Sequence, residues 1–108
     1  LTKMQKRFMR NTYKLIWSDE ALNGLKEIID YIERKFSEKD VKKFIKKFDK
    51  QIEIIKSKPE TFSFSPKSKT IRRAIVSKLT SIYYRIDGNV INLVTIYDNR
   101  KNPDNLRI

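Results

Sequence analysis

Apolar positions along the chain follow two rhythms, one of three and four residues in the first half and one of two in the second. From Ser18 onward, Ala21, Leu22, Leu25, Ile28, Ile29, Ile32 and Phe36 form one stripe of an α-helix. Ser18 reads as the N-cap. Asp19 and Glu20 follow in the first turn, where negative charge suits the helix dipole. The pattern predicts a helix of about Asp19–Phe36, with Gly24 inside it at a close helix contact. Ser37-Glu38-Lys39-Asp40 resembles a capping box and opens a second helix, about Asp40–Ser57. Val41, Ile45, Phe48, Ile52 and Ile55 make its apolar stripe, and Lys42, Lys43, Lys46, Lys47, Lys50 and Lys56 its polar side. Lys58-Pro59 ends it. Two such helices joined by a tight turn read as an antiparallel helical hairpin.

Short runs rich in branched and aromatic residues predict four strands, at Tyr13–Trp17, Ile71–Val76, Leu79–Ile86 and Val90–Tyr97. Thr61–Lys69 is a loop that Phe62 and Phe64 tuck onto the domain. Asp87-Gly88 signals a tight hairpin, read as a type I′ turn with positive φ at both central residues. Asn102-Pro103 resembles an N-cap followed by proline at the first helical position, opening a last turn over Pro103–Leu106. The fold class is α+β. In the order β-α-α-β-β-β, the helical hairpin packs on one face of a small, antiparallel-rich four-stranded sheet, and the other face is left to solvent or a partner. Residues 13–108 form one domain. Residues 1–12 are basic without an apolar core and read as a disordered or vector-derived leader, with Met4 and Met9 both plausible natural starts.

Composition narrows the chemistry. The 108 residues contain no cysteine and no histidine, which excludes disulfides, thiolate sites, the usual neutral-pH acid–base group and the commonest metal ligand. A zinc site would need carboxylates alone, so no metal or cofactor is expected. No apolar run approaches the length that spans a bilayer, and a cytoplasmic protein without a membrane partner is expected. Net charge is +12, which points to a polyanion or an acidic protein partner. Residues 61–108 carry 9 Lys/Arg against 3 Asp/Glu, so acid is depleted where the strands fall. The helical lysine face reads most simply as a solvated one.

Strand alternation places Ile82, Tyr84 and Ile86 toward the core and Ser81, Tyr83 and Arg85 on the opposite face. Arg72 and Arg73 point to opposite faces, so at most one of them joins Arg85. With aligned strands, Tyr97, Arg100 and one of Arg72 and Arg73 converge with Arg85 as an aromatic-plus-arginine surface of the kind that grips single-stranded nucleic acid. The same residues also read as structure: Tyr83 and Tyr97 as strand packing, Arg100 as a partner of Asp98.

Several segments together resemble the RelE/ParE superfamily of type II toxins, which includes plasmid stabilisation proteins. They are Trp17-Ser18-Asp19-Glu20-Ala21, Leu25 to Ile32, Pro59, Arg72-Arg73-Ala74-Ile75-Val76, Tyr83-Tyr84-Arg85-Ile86 and Ile96 to Pro103. The resemblance spans roughly residues 13–106 and rests on the order and spacing of the segments. It implies a growth-inhibiting toxin held inactive by a cognate antitoxin that wraps it with a helix or strand. Two targets follow from it, DNA gyrase for ParE-like members and mRNA in the ribosomal A site for RelE-like members. Asp30-Tyr31-Ile32 looks more ParE-like. Were the chain a metal-independent endoribonuclease, Arg73, Arg85 and Arg100 would supply charge to the phosphorane and Tyr97 a proton. Strands two to four hold no glutamate, and Lys78 is the one lysine of the strand region that could serve as base. A third reading is a member that has lost toxicity and serves as a basic binding module.

Overall fold

The computed structural model describes residues 13–108. The leader read over residues 1–12 lies outside the described residues. The elements are β1 (Lys14–Trp17), α1 (Asp19–Lys35), α2 (Glu38–Ser57), β2 (Ile71–Ile75), β3 (Thr80–Asp87) and β4 (Val90–Asp98). Single 3-10 turns cover Pro59–Thr61 and Pro103–Asn105. The predicted α+β order is the observed one. The sheet runs β1-β4-β3-β2, with β1 parallel to β4 and the other pairs antiparallel.

Local chemistry sets the helix ends. The Ser18 hydroxyl accepts from the Ala21 amide at 2.9 Å and donates to the Val94 carbonyl at 2.7 Å. One side chain thus caps α1 and anchors it to β4. Ser37 caps α2 by accepting from the Asp40 amide, and its hydroxyl donates to the Asp40 carboxylate at 2.7 Å. Gly24 does mark a close approach: a Cβ there would lie 2.2 Å from the Ile96 carbonyl oxygen, so α1 rests on the backbone of β4. Among the described residues, no helix is long and apolar enough to cross a membrane.

The core joins Ala21, Ile28 and Ile32 of α1, Phe44, Phe48, Ile52 and Ile55 of α2, and Ala74, Ile82, Tyr84, Ile91, Leu93 and Ile96 of the sheet. The stripes differ from the sequence reading at their margins. Phe44 is buried, whereas Val41 and Ile45 only flank the core. Leu22 and Phe36, read as members of the α1 stripe, are 51% and 63% exposed, Phe36 as the C-cap residue beyond the last helical residue, Lys35. Tyr84 is fully buried, donates to the Pro59 carbonyl at 2.5 Å and so closes the end of α2 onto the sheet. Burial pushes its hydroxyl up to about 12.

Two further expectations are corrected. The β3–β4 turn is centred on Gly88-Asn89, and Gly88 alone has positive φ (60°). That is the pattern of a type II′ turn, which needs the left-handed region only at its first central residue. Nor is the sheet face opposite the helices open along its length. Ser81, Tyr83, Thr95 and Ile71 on that face are all 6% exposed or less. The loop after α2 and the C-terminal segment meet there, the Lys67 ammonium donating to the Pro103 carbonyl.

Candidate functional site

A β-bulge shapes the face opposite the helices. Tyr83 lies opposite Thr95 and Tyr84 opposite Leu93, so Val94 is an extra residue in β4. Simple alternation would put Tyr97 on the same side as Leu93, in the core. The extra residue reverses the parity, and Tyr97 comes out opposite Ser81. Arg73 lies beside Tyr83 in the same row.

These side chains form a connected cluster. Arg73 Nε donates to the Ser81 hydroxyl at 3.1 Å, and that hydroxyl donates to Asn99 Oδ1 at 2.9 Å. The Arg73 guanidinium lies 6.0 Å from the centroid of the Tyr83 ring. Tyr83 and Tyr97 meet edge to face at 6.5 Å. The Tyr97 hydroxyl donates to the Asn102 carbonyl at 2.6 Å, pinning the C-terminal segment across the end of the cluster. Burial raises the Tyr83 hydroxyl above the ordinary phenol value, a shift that the Arg73 charge opposes. At neutral pH Tyr83 is therefore a neutral donor.

The four sequence candidates are divided among three places. Arg73 and Tyr97 join through Ser81 and Tyr83. Arg85 shares their face but sits two residues beyond Tyr83, where its Nε donates to Asp87 at 2.8 Å. Asn92 donates to the same Asp87 oxygen, and the two bonds hold that carboxyl below the usual carboxylate range. Arg100 does not converge with the others. It grips Asp98 through two nitrogens at 3.0 and 2.6 Å, and its guanidinium stacks 3.6 Å from the centroid of Tyr31 on α1. Asp98 is opposite Thr80 on the helix side of the sheet, so this pair turns away from the cluster. The Arg100 contact holds the Asp98 carboxyl below its ordinary value. Arg72 points to the helix side, where its Nη1 donates to the Phe62 carbonyl at 2.7 Å.

Sequence reasoning missed Ser81 as the link, Asn99 as its acceptor and Tyr31 as the seat of Arg100. A broken alternation was the available signal for the bulge: Ile91 and Leu93 are two apart, but the next core residue, Ile96, is three further on. Chemically the cluster offers a cation, two phenols and a hydroxyl. It contains no carboxylate. A cavity of about 770 Å³ lies at the α1 side of β4, lined in part by Glu20, Asn23, Glu27 and Lys101. Its acidic lining differs from the basic, aromatic face read from the sequence.

Comparisons with known proteins agree with this architecture. The family profile described as the ParE toxin of the type II toxin–antitoxin system parDE matches residues 15–103. Among solved structures, one titled as the chromosomal ParDE toxin–antitoxin system from P. aeruginosa superposes with a TM-score of 0.68 at 17% identity, covering 82% of this chain and 97% of that one. The YoeB dimer from Staphylococcus aureus superposes with a TM-score of 0.54 at 17% identity, covering 78% and 93%. No curated relative matches by sequence. The fold is shared with both structures, and the profile spans nearly the whole described domain. The chain belongs to the ParE toxin family of type II toxin–antitoxin systems.

Proposed function

We propose that this toxin arrests growth in the cytoplasm by binding and poisoning DNA gyrase, and that a cognate acidic antitoxin neutralises it. The observation that carries the reading is the state of the face where RNA cleavage would occur. Tyr83 and Ser81 are buried there, no carboxylate joins the cluster, and Arg100 is turned toward the helices. General acid–base cleavage of RNA wants an acceptor for the 2′-hydroxyl proton and cations converging on one phosphate. The ParE family match favours the same reading. For the antitoxin, apolar burial is available at the exposed Phe36, beside a groove of about 270 Å³ between the helical hairpin and Leu79. Lys43 and Lys47 line that groove and suit an acidic partner.

Purified toxin added to gyrase, ATP and supercoiled plasmid tests the target. Accumulation of protein-linked linear DNA is the expected result. Absence of linear product at a large molar excess of toxin, with supercoiling of a relaxed plasmid unimpaired in a parallel reaction, contradicts it. The second reading is a ribosome-dependent endoribonuclease, favoured by the adjoining Arg73, Tyr83 and Tyr97. It requires the C-terminal segment to lift from the Tyr97 hydroxyl before a message can reach the cluster.

A further inference from the structure

We infer that the outer edge of β2 carries a separate shelf for single-stranded nucleic acid, built to stack an unpaired base on Phe64 and to hold its phosphate with Lys69 and Arg72. These residues line a cavity of about 360 Å³ away from the Arg73–Tyr83–Tyr97 cluster. Phe64 is 48% exposed, yet it does not sit on a loose loop. It pairs with Arg72 as a short antiparallel bridge. The flanking bonds are Ser65 N–H to the Ile71 carbonyl at 2.7 Å and Arg73 N–H to the Ser63 carbonyl at 3.0 Å. The aromatic ring is therefore presented by sheet hydrogen bonding, and the cost of fixing it is met in folding rather than in binding.

The Arg72 guanidinium lies 4.1 Å from the centroid of that ring. The cation lies over the ring while Phe64 stays about half exposed, an arrangement in which a base can extend the stack. Arg72 keeps donors in reserve: it uses Nη1 toward the Phe62 and Glu60 carbonyls, and its other guanidinium nitrogens have no hydrogen-bond partner among the described residues. Asp87 is already engaged by Arg85 and Asn92, which leaves Glu60 as the one further carboxylate on the cavity wall. An ordered anion with an attached planar group fits this set better than an acidic peptide, which has charge but no π-face to match Phe64. The inference does not rest on the gyrase reading and is tested without gyrase.

Fluorescence anisotropy with labelled oligothymidylate, and with an abasic chain of equal phosphate count, separates base from phosphate. The intact toxin is expected to bind the oligonucleotide more tightly than the abasic chain. Phe64→Ala should weaken oligonucleotide binding about 5- to 100-fold, the range of one base–aromatic stack, and leave the abasic chain unaffected. Phe64→Leu keeps apolar cover over Arg72 without the π-face and should fall with Phe64→Ala, whereas Phe64→Trp should retain binding. Lys69→Glu should weaken both ligands. Equal affinity for the two ligands overturns the proposal. So does unchanged oligonucleotide binding by Phe64→Ala and Phe64→Leu at unaltered melting temperature, or tighter binding of polyglutamate than of either chain.

Discussion

Arg100 and Arg85 show how one residue type serves different ends at opposite ends of the β3–β4 pair. Each pairs with an aspartate two positions away, but Arg100 adds the face of Tyr31 and so fastens the chain after β4 onto α1. If the toxin acts on gyrase, Arg100→Ala should reduce toxicity more than Arg85→Ala does, measured as colony counts after induction with melting temperature as the control. The reverse order, with Arg85→Ala abolishing toxicity at native stability, would point to RNA chemistry at the sheet face. Tyr84 carries a pH prediction. Its folded-state hydroxyl is pushed up to about 12, above the ordinary phenol value of 10.0, so the unfolded chain releases this proton first as pH rises. The associated stability is whole below about pH 10 and is lost as pH climbs toward 12. Tyr84→Phe should cost about 1–3 kcal/mol at neutral pH, because the buried Pro59 carbonyl loses its donor. It should also flatten the alkaline decline in melting temperature relative to the parent. An identical alkaline slope in the two proteins would contradict the assignment.

At the scale of elements, Gly24 and Ser18 join α1 to β4 at neighbouring points, and both depend on close backbone approach. Gly24→Ala gains up to about 1 kcal/mol of helix propensity. The new Cβ meets a backbone carbonyl rather than a flexible side chain, and overpacking of that kind costs about 1–3 kcal/mol or more. The clash should win, and denaturant titration should show net destabilisation; a more stable variant would mean that α1 shifts freely on the sheet. Ser18→Ala removes a cap and a tie to Val94 together and should cost about 1–2 kcal/mol by the same measurement. The elements themselves were legible because their signals are local: Ser18, Ser37, Pro59 and Asn102 mark their ends within one turn. Fold order and the faces of β3 followed from periodicity alone. Less legible was whatever depended on two segments meeting. The Val94 bulge turns Tyr97 outward, the Tyr97 hydroxyl pins the Asn102 carbonyl of the C-terminal segment, and Arg100 finds Tyr31 across a helix–sheet boundary. The expected convergence of the candidate residues assumed an unbroken register in β4 and a chain that stays on one face after Asp98.

For the molecule as a whole, on the proposed reading, +12 of charge over 108 residues speeds encounter with an acidic antitoxin, and apolar surface near Phe36 gives the longer-lived contact. Co-expression with the adjacent reading frame should therefore yield a co-purifying complex that survives high salt, and Phe36→Asp should release toxicity despite the antitoxin. The central claim is the target. Gyrase poisoning halts DNA synthesis and induces the DNA-damage response, whereas ribosomal cleavage stops translation within minutes. Pulse-labelling of DNA and protein synthesis after induction compares the two directly. We expect incorporation into DNA to fall first, with protein synthesis persisting; early collapse of protein synthesis, with new 5′ ends of messages mapping inside codons, would contradict the account.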